Sequence, residues 1–160
     1  MEKLSVKAIG KIKICKEGMF IELDKNYIPA LKGLDGFSHV DVICWFDDCD
    51  NKESRSLLEV SAPYKNGPST MGIFATRSPF RPNPIALTAS QIICIDHENG
   101  RLQLAYIDAN DGTPVLDLKP YTPSLDRVES PNVPEWCSHW PKSLEKSGEF
   151  NWEDEFNYIY

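Results

Sequence analysis

Two segments of this 160-residue chain gather residue types that bind and react. The first is GIFATRSPFRPNPIALT, residues 72–88. In it Arg77 and Arg81 can grip a carboxylate or phosphate through paired N–H groups, and Ser78 and Asn83 add neutral donors and acceptors. Pro79, Pro82 and Pro84 fix φ and delete backbone donors, which excludes a helix and fits a rigid turn. The second is IDANDGTPVLDLKPYTPSLD, residues 107–126. There Asp108, Asp111, Asp117, Lys119 and Asp126 supply charge, Asp111-Gly112 is a turn signal, and Pro114 and Pro120 stiffen the chain. Pattern alone supports a plainer reading equally well. Asp117 and Lys119 alternate along VLDLK as the outward face of a strand would, and Arg77 with Asp111 would make a structural ion pair between loops. Loops carry most binding chemistry, but most loops carry none.

Several chemistries are disfavoured. GLDGFS is not a Gly-x-Gly-x-x-Gly turn and there is no Walker sequence, so neither dinucleotide nor P-loop binding is indicated. Ser78 has no identifiable histidine partner, and His39, His97 and His139 lie far apart in the chain, which argues against a hydrolase triad. His39 reads as a structural hydrogen bonder entering a strand, and His97 in its Asn-Gly turn as solvated. Cys15, Cys44, Cys49, Cys94 and Cys137 form an odd set without Cys-x-x-Cys spacing, which suits reduced thiols. Cys137 and His139 with Cys44 and Cys49 match no common zinc spacing, so no metal is expected. A net charge of −7 argues against sequence-independent binding to nucleic acid, DNA included, through many phosphate contacts. A local positive patch of Lys11, Lys13, Arg77, Arg81, Lys119 and Arg127 remains open.

The elements that must position these residues are mostly strands. Val6, Ala8, Gly10, Ile12 and Ile14 alternate with lysines, and after Lys16-Glu17-Gly18 the residues Met19, Ile21 and Leu23 alternate again, which predicts a hairpin. Tyr27–Leu31 predicts one helical turn. HVDVICWF and SLLEV read as strands, Ile73–Thr76 and Ile85–Ser90 flank the proline loop, and QIICID, the HENG turn and RLQLAYI make another hairpin with Leu102, Leu104 and Tyr106 on one face. Many short strands at this spacing predict a mainly β fold: one small closed or partly open β-barrel of mostly antiparallel strands with short peripheral and C-terminal helices. From Asn151, Trp152, Phe156 and Ile159 take helical spacing and predict a small helix packed on the barrel. The length fits a single domain over residues 1–160, with core motifs at 31–126 and an extension at 127–160. No run approaches the roughly 20 apolar residues of a membrane span, and the N-terminus does not read as a secretory signal, so the expected location is cytoplasmic.

The motifs LKGLDGFSHVDVICWF, GIFATRSPFRPNPIALT and DGTPVLDLKPYTPSLD resemble those of the TsaA-like family, also called TrmO or YaeB-like: β-barrel methyltransferases that use S-adenosyl-L-methionine to methylate N6 of threonylcarbamoyl-adenosine beside the anticodon of tRNA. The resemblance implies a cofactor pocket lined by both polar loops and completed across a homodimer interface. It assigns Arg77, Ser78, Arg81, Pro82, Asn83, Asp108, Asp111, Gly112 and Thr113 to the cofactor. It also matches Asp117, Lys119, Pro120 and Tyr121 to the second signature, which makes Asp117, Lys119 and Tyr121 the candidate catalytic group. On that footing Asp117 and a carbonyl near Pro120 would accept hydrogen bonds from the target amino group, and Tyr121 would stack on a base. A Ser-Pro element in the first strand and a Pro-Arg-Gln element soon after it, carried by longer members, are absent here, and where some members have an extra C-terminal domain a tryptophan-rich end, VPEWCSHWP and FNWEDEF, is read instead. Two other functions stand beside the implied one: methyl transfer to a small molecule or another RNA, and binding of the cofactor without catalysis.

Overall fold

The structure, a computed structural model, describes residues 4–157. These form two compact units, one of residues up to 50 with 83–127, the other of 51–82 with the residues from 128 onward.

The first unit is a six-stranded barrel. β1 (Gly10–Cys15) and β2 (Gly18–Leu23) form the predicted hairpin about the Lys16-Glu17 turn, with Ile12 opposite Ile21. A 3₁₀ turn, Lys25–Leu31, occupies the place expected for a helical turn. β3 (His39–Trp45), β6 (Ile85–Asp96), β7 (Arg101–Leu104) and β8 (Pro114–Pro120) follow, and the strands close antiparallel in the order β1-β2-β7-β6-β3-β8. Alternation does what period-two patterning requires. Val40, Val42 and Cys44 of β3, Leu102 and Leu104 of β7, and Val115 of β8 enter the core with Ile12, Ile21 and Leu23. At Gly10, which pairs with both Leu23 of β2 and Val115 of β8, a Cβ would lie 2.2 Å from the Glu22 carbonyl oxygen, so closure here needs glycine.

The outward faces of the barrel differ. Lys11, Glu22, Arg101 and Asp96 sit in one cross-strand row over β1, β2, β7 and β6, with charges alternating in sign. Arg101 reaches Glu22 at 3.4 Å and lies over the Phe20 ring at 4.2 Å. Over β6 and β3 the outward rows are Ile85 with Trp45 and Leu87 with Ile43, and Ile85 and Leu87 are exposed.

The second unit contains α1 (Lys52–Ser56) and the two-stranded sheet of β4 (Glu59–Ser61) and β5 (Thr70–Gly72). SLLEV, expected as one strand, is split: Ser56 ends the helix that Asn51 caps through the Ser54 N–H at 2.9 Å, and the strand begins only at Glu59. A competent cap ahead of Lys-Glu-Ser-Arg outweighs the short apolar run that follows. The helix expected from Asn151 is a single 3₁₀ turn, Trp152–Asp154. So short a segment does not sustain an α-helix alone, and rings hold this one: Trp152 packs edge-on against Trp140 and Phe150. Ile159, assigned to the same helical face, lies outside the described residues. Among the described residues no helix is long and apolar enough to cross a membrane.

Candidate functional site

In the second unit, the arginine segment is a turn braced by its own side chains. Residues Ile73–Ala75 form a 3₁₀ turn, Thr76 Oγ1 donates to the Ile73 carbonyl at 2.9 Å, and the Ser78 N–H donates back to that hydroxyl at 3.3 Å. Ser78 Oγ accepts from the Phe80 N–H at 3.2 Å. Arg81 Nη1 donates to the carbonyls of Thr76 and Ser78 at 3.3 and 3.4 Å. Ser78 and Arg81 therefore shape the loop in addition to any role toward a ligand. Arg77 is exposed and Pro82 half-buried. Phe74, which pattern reasoning passed over as part of an apolar run, is 78% exposed.

The remaining candidates belong to the barrel unit and lie toward the two ends of β8. At its start, Gly112 N–H donates to the Ile12 carbonyl at 2.8 Å and the Thr113 carbonyl accepts from Ile12 N–H at 2.9 Å. Asp111 accepts from Ile14 N–H at 2.7 Å and Lys13 Nζ at 3.2 Å. These bonds, the backbone donor first, hold its carboxyl below the usual carboxylate range. Asp111 thus partners Lys13 of β1 and pins the loop to that strand. Asp108 faces Tyr106, whose hydroxyl is raised by burial and then by that carboxylate. Asn83 stands at the same end, just before Ile85 of β6 pairs with Trp45 of β3.

From the middle of β8 toward its far end, Asp117 receives Lys119 Nζ at 2.7 Å and its own neighbour's N–H, Leu118, at 2.9 Å. The hydrogen bond and charge of Asp117 raise the Lys119 ammonium above its ordinary value. Tyr121 N–H donates to the His39 carbonyl at 3.1 Å, and the two rings are 6.2 Å apart. His39 is the hydrogen bonder expected, its Nδ1 2.9 Å from Ser38 Oγ. Beside Lys119 in the register is Asp41, whose carboxyl is raised by burial and then by Asp126. Asp41 carries no signal of its own in HVDV, and only the pairing with β8 brings it to this cluster. His97, expected to be merely solvated, reaches Asp35 at 2.9 Å.

A cavity of about 350 Å³ opens at this end of the barrel. Tyr27, Ala30 and Leu31 of the 3₁₀ turn, then Gly33, Leu34 and Phe37, line one side, and Asp117, Leu118 and Pro120 of β8 line another. Two of the three motifs, LKGLDGF and DLKP, thus share one wall-to-wall space. Lys13 and Lys119 are each paired with a carboxylate, and Lys11 sits opposite Glu22 in the register, so these three lysines of the expected positive patch each have a carboxylate close by.

Residues 11–127 match the family model described as the tRNA-methyltransferase O N-terminal domain. Among curated proteins, an S-adenosyl-L-methionine-binding protein of Archaeoglobus fulgidus is 38% identical over 108 residues, covering 68% of this chain and 72% of that one. The tRNA (adenine(37)-N6)-methyltransferase of Escherichia coli is 35% identical over 122 residues, 74% of this chain and 51% of that one. A crystal structure of TrmO from Pseudomonas aeruginosa superposes with a TM-score of 0.61 at 30% identity, covering 82% of this chain and 62% of its own. The chain therefore spans about half of the first enzyme and under two thirds of the second.

Proposed function

Because the chain belongs to the family of the tRNA-methyltransferase O N-terminal domain, we propose that it is an S-adenosyl-L-methionine-dependent methyltransferase acting on N6 of the threonylcarbamoyl-adenosine beside the tRNA anticodon. The observation that carries this reading is the cavity shared by two of the motifs. Its volume lies in the range of small-molecule sites. Tyr27 and Phe37 give it faces for a base, its aliphatic lining suits an uncharged stem, and the Asp117 carboxylate suits a sulfonium. When bound, the cofactor would supply an electrophilic methyl carbon to which the acceptor nitrogen bonds in line as the bond to sulfur breaks and the neutral thioether leaves, so the protein contributes chiefly by positioning.

Asp117 is the acceptor for the amino hydrogens of the target adenine, which localises the nitrogen lone pair, and it receives the proton shed after transfer. Lys119, 2.7 Å away, holds that carboxylate in place. Tyr121 offers a stacking platform at the same end. Arg77, with the guanidinium nitrogens of Arg81 other than Nη1, meets a carboxylate or an RNA phosphate. A tRNA substrate sets the work in the cytoplasm, and the free cysteines accord with that.

The reading includes a homodimer. Thr113 and Tyr121 stand beyond opposite ends of β8, eight residues or about 26 Å apart at roughly 3.3 Å per residue, which is long for one cofactor and one target base to span within a single copy. A second copy brought against the apolar rows of Ile85, Trp45, Leu87 and Ile43 would set the start of one β8 near the end of the other. Labelled methyl from the cofactor should appear in total tRNA. Label in a metabolite extract instead, or calorimetric binding with no transfer to either, refutes the substrate or the catalysis respectively. Asp117→Asn and Asn83→Ala, each inactive alone, should on mixing recover up to about a quarter of the activity, since half the dimers are mixed and each has one intact site. No recovery would confine the site to one copy.

A further inference from the structure

Residues after 127 lie beyond the stretch that matches the family, yet they complete the unit that carries the arginine turn. Tyr64, between β4 and β5, stacks on Trp136 at 5.1 Å and meets Trp140 edge-on at 5.2 Å and Phe156 at 5.4 Å. Tyr64 and Phe156 also form an antiparallel bridge. Glu155, 7% exposed, accepts from Trp140 Nε1 at 2.9 Å and lies 2.8 Å from His139 Nε2, while its carbonyl accepts from Lys65 N–H at 2.9 Å. Asn157 donates through its side chain to the Ala62 carbonyl at 2.6 Å and through its backbone to Pro63 at 3.1 Å. Ala62 has φ 38 and is the one non-glycine residue with positive φ among those described. That conformation is costly for alanine and persists only where neighbours enforce it. From Ala62 the chain runs into β5 and directly into the arginine turn, whose Ile73 N–H is tied to Leu58 at 2.8 Å.

We infer that segment 135–157 is a clamp that sets the geometry of the arginine turn, so that cofactor affinity depends on Glu155, Trp140 and Asn157 as positioning residues. This rests on reading residues 77–83 as a cofactor loop. An aromatic cluster needs no buried carboxylate to pack. Here the carboxylate ties Trp140 and His139 to Glu155 within the segment, and the Glu155 carbonyl and Asn157 tie that same stretch to Lys65, Pro63 and Ala62 of the hairpin, which fixes a register that packing alone leaves loose.

The test uses the full chain with S-adenosyl-L-methionine in calorimetry and tRNA methylation. Glu155→Gln, Asn157→Ala and Trp140→Phe, the last keeping the ring and losing only its N–H, should each weaken cofactor binding up to about tenfold, the scale of one hydrogen bond. At saturating cofactor kcat should stay within about twofold, and Glu155→Asp should recover part of the affinity. Unchanged affinity in these variants, alongside a clear loss in Arg77→Ala, overturns the clamp alone. Unchanged affinity in Arg77→Ala overturns the loop assignment and the clamp with it. A parallel fall of kcat, affinity and melting temperature would mean general stability, and also overturns the clamp.

Discussion

Gly100→Ala tests whether the turn between β6 and β7 supports the cavity wall. Gly100 is buried with φ 65, and a Cβ there would lie 2.6 and 2.9 Å from Ile28 Cγ1 and Cδ1 and 3.6 Å from Leu23 Cβ. Ile28 belongs to the 3₁₀ turn whose Tyr27, Ala30 and Leu31 line the cavity, and Leu23 lines it too. Two costs add. The left-handed conformation costs alanine about 1–2 kcal/mol, and forcing a methyl into a filled space costs about 1–3 kcal/mol, for a total of about 2–5 kcal/mol. For a unit of this size that is a fall in melting temperature of at least about 10 °C. Gly36→Ala separates the terms, since Gly36 has φ 91 and nothing within 4 Å of its Cβ, so it should lose only the backbone share. In an Ile28→Ala background Gly100→Ala should likewise shrink to about 1–2 kcal/mol. Circular dichroism melts with urea titrations measure all four proteins, and cofactor binding should weaken in Gly100→Ala but not in Gly36→Ala. Equal losses for Gly100→Ala and Gly36→Ala, or a cost unmoved by removing the Ile28 side chain, would refute the steric argument.

Asp111→Asn should destabilise the barrel in a pH-dependent way. The folded carboxyl lies below its ordinary value, so the native state binds fewer protons and the stabilisation is fully present above the unfolded value of roughly pH 4. It fades as pH falls through the lower folded value. Urea melts between roughly pH 3 and 6 should show the wild-type advantage flat at the upper end and shrinking toward the lower. A flat difference throughout would mean that the carboxylate is not held by Ile14 and Lys13. Burial pushes the Cys44 thiol up to about 12, whereas Cys94 is exposed. At mildly alkaline pH an alkylating reagent should label Cys94 early and Cys44 only on unfolding, read by peptide mass spectrometry; equal rates would show that the barrel wall opens.

Local periodicity made the strands and hairpins legible, because each reports only which side of a strand meets the core. The Lys16-Glu17 and HENG turns were readable for the same reason: they join neighbours in the chain. What no local pattern carries is pairing across long separations. That β3 lies between β6 and β8, and so brings Asp41 beside Lys119, follows from closing the barrel. The polar signature 107–126 reads as one site along the chain, yet a strand is long for its residue count, and β8 carries Thr113 and Tyr121 to different ends. The tail misled by its spacing. Trp152 and Phe156 do share an environment, but through ring packing with Trp140 and Tyr64 respectively and with each other rather than through a helix, because a three-residue turn cannot supply the intrahelical bonds that make a helix self-supporting.

The two outward faces of the barrel argue for the same division of labour as the two ends of β8. Charges alternate in sign across Lys11, Glu22, Arg101 and Asp96 at the surface, and a partner would have to strip water from all of them for little return. The Ile85, Trp45, Leu87 and Ile43 rows have no such cost, and covering them returns free energy in proportion to the apolar area removed from water. A patch of that kind lies on the wall that includes β3, the strand running from His39 at the cavity end to Trp45, and the proposed dimer would use it. In the proposed dimer it is also the wall along which each copy would supply one half of the candidate site. If the wall serves the dimer, Leu87→Glu should lower both association and methyl transfer while leaving the barrel's melting behaviour near that of the parent, because Leu87 points away from the core. Sedimentation and the transfer assay run at the same protein concentrations decide it: loss of association with undiminished transfer would make each copy self-sufficient, and the distance along β8 would then need another explanation.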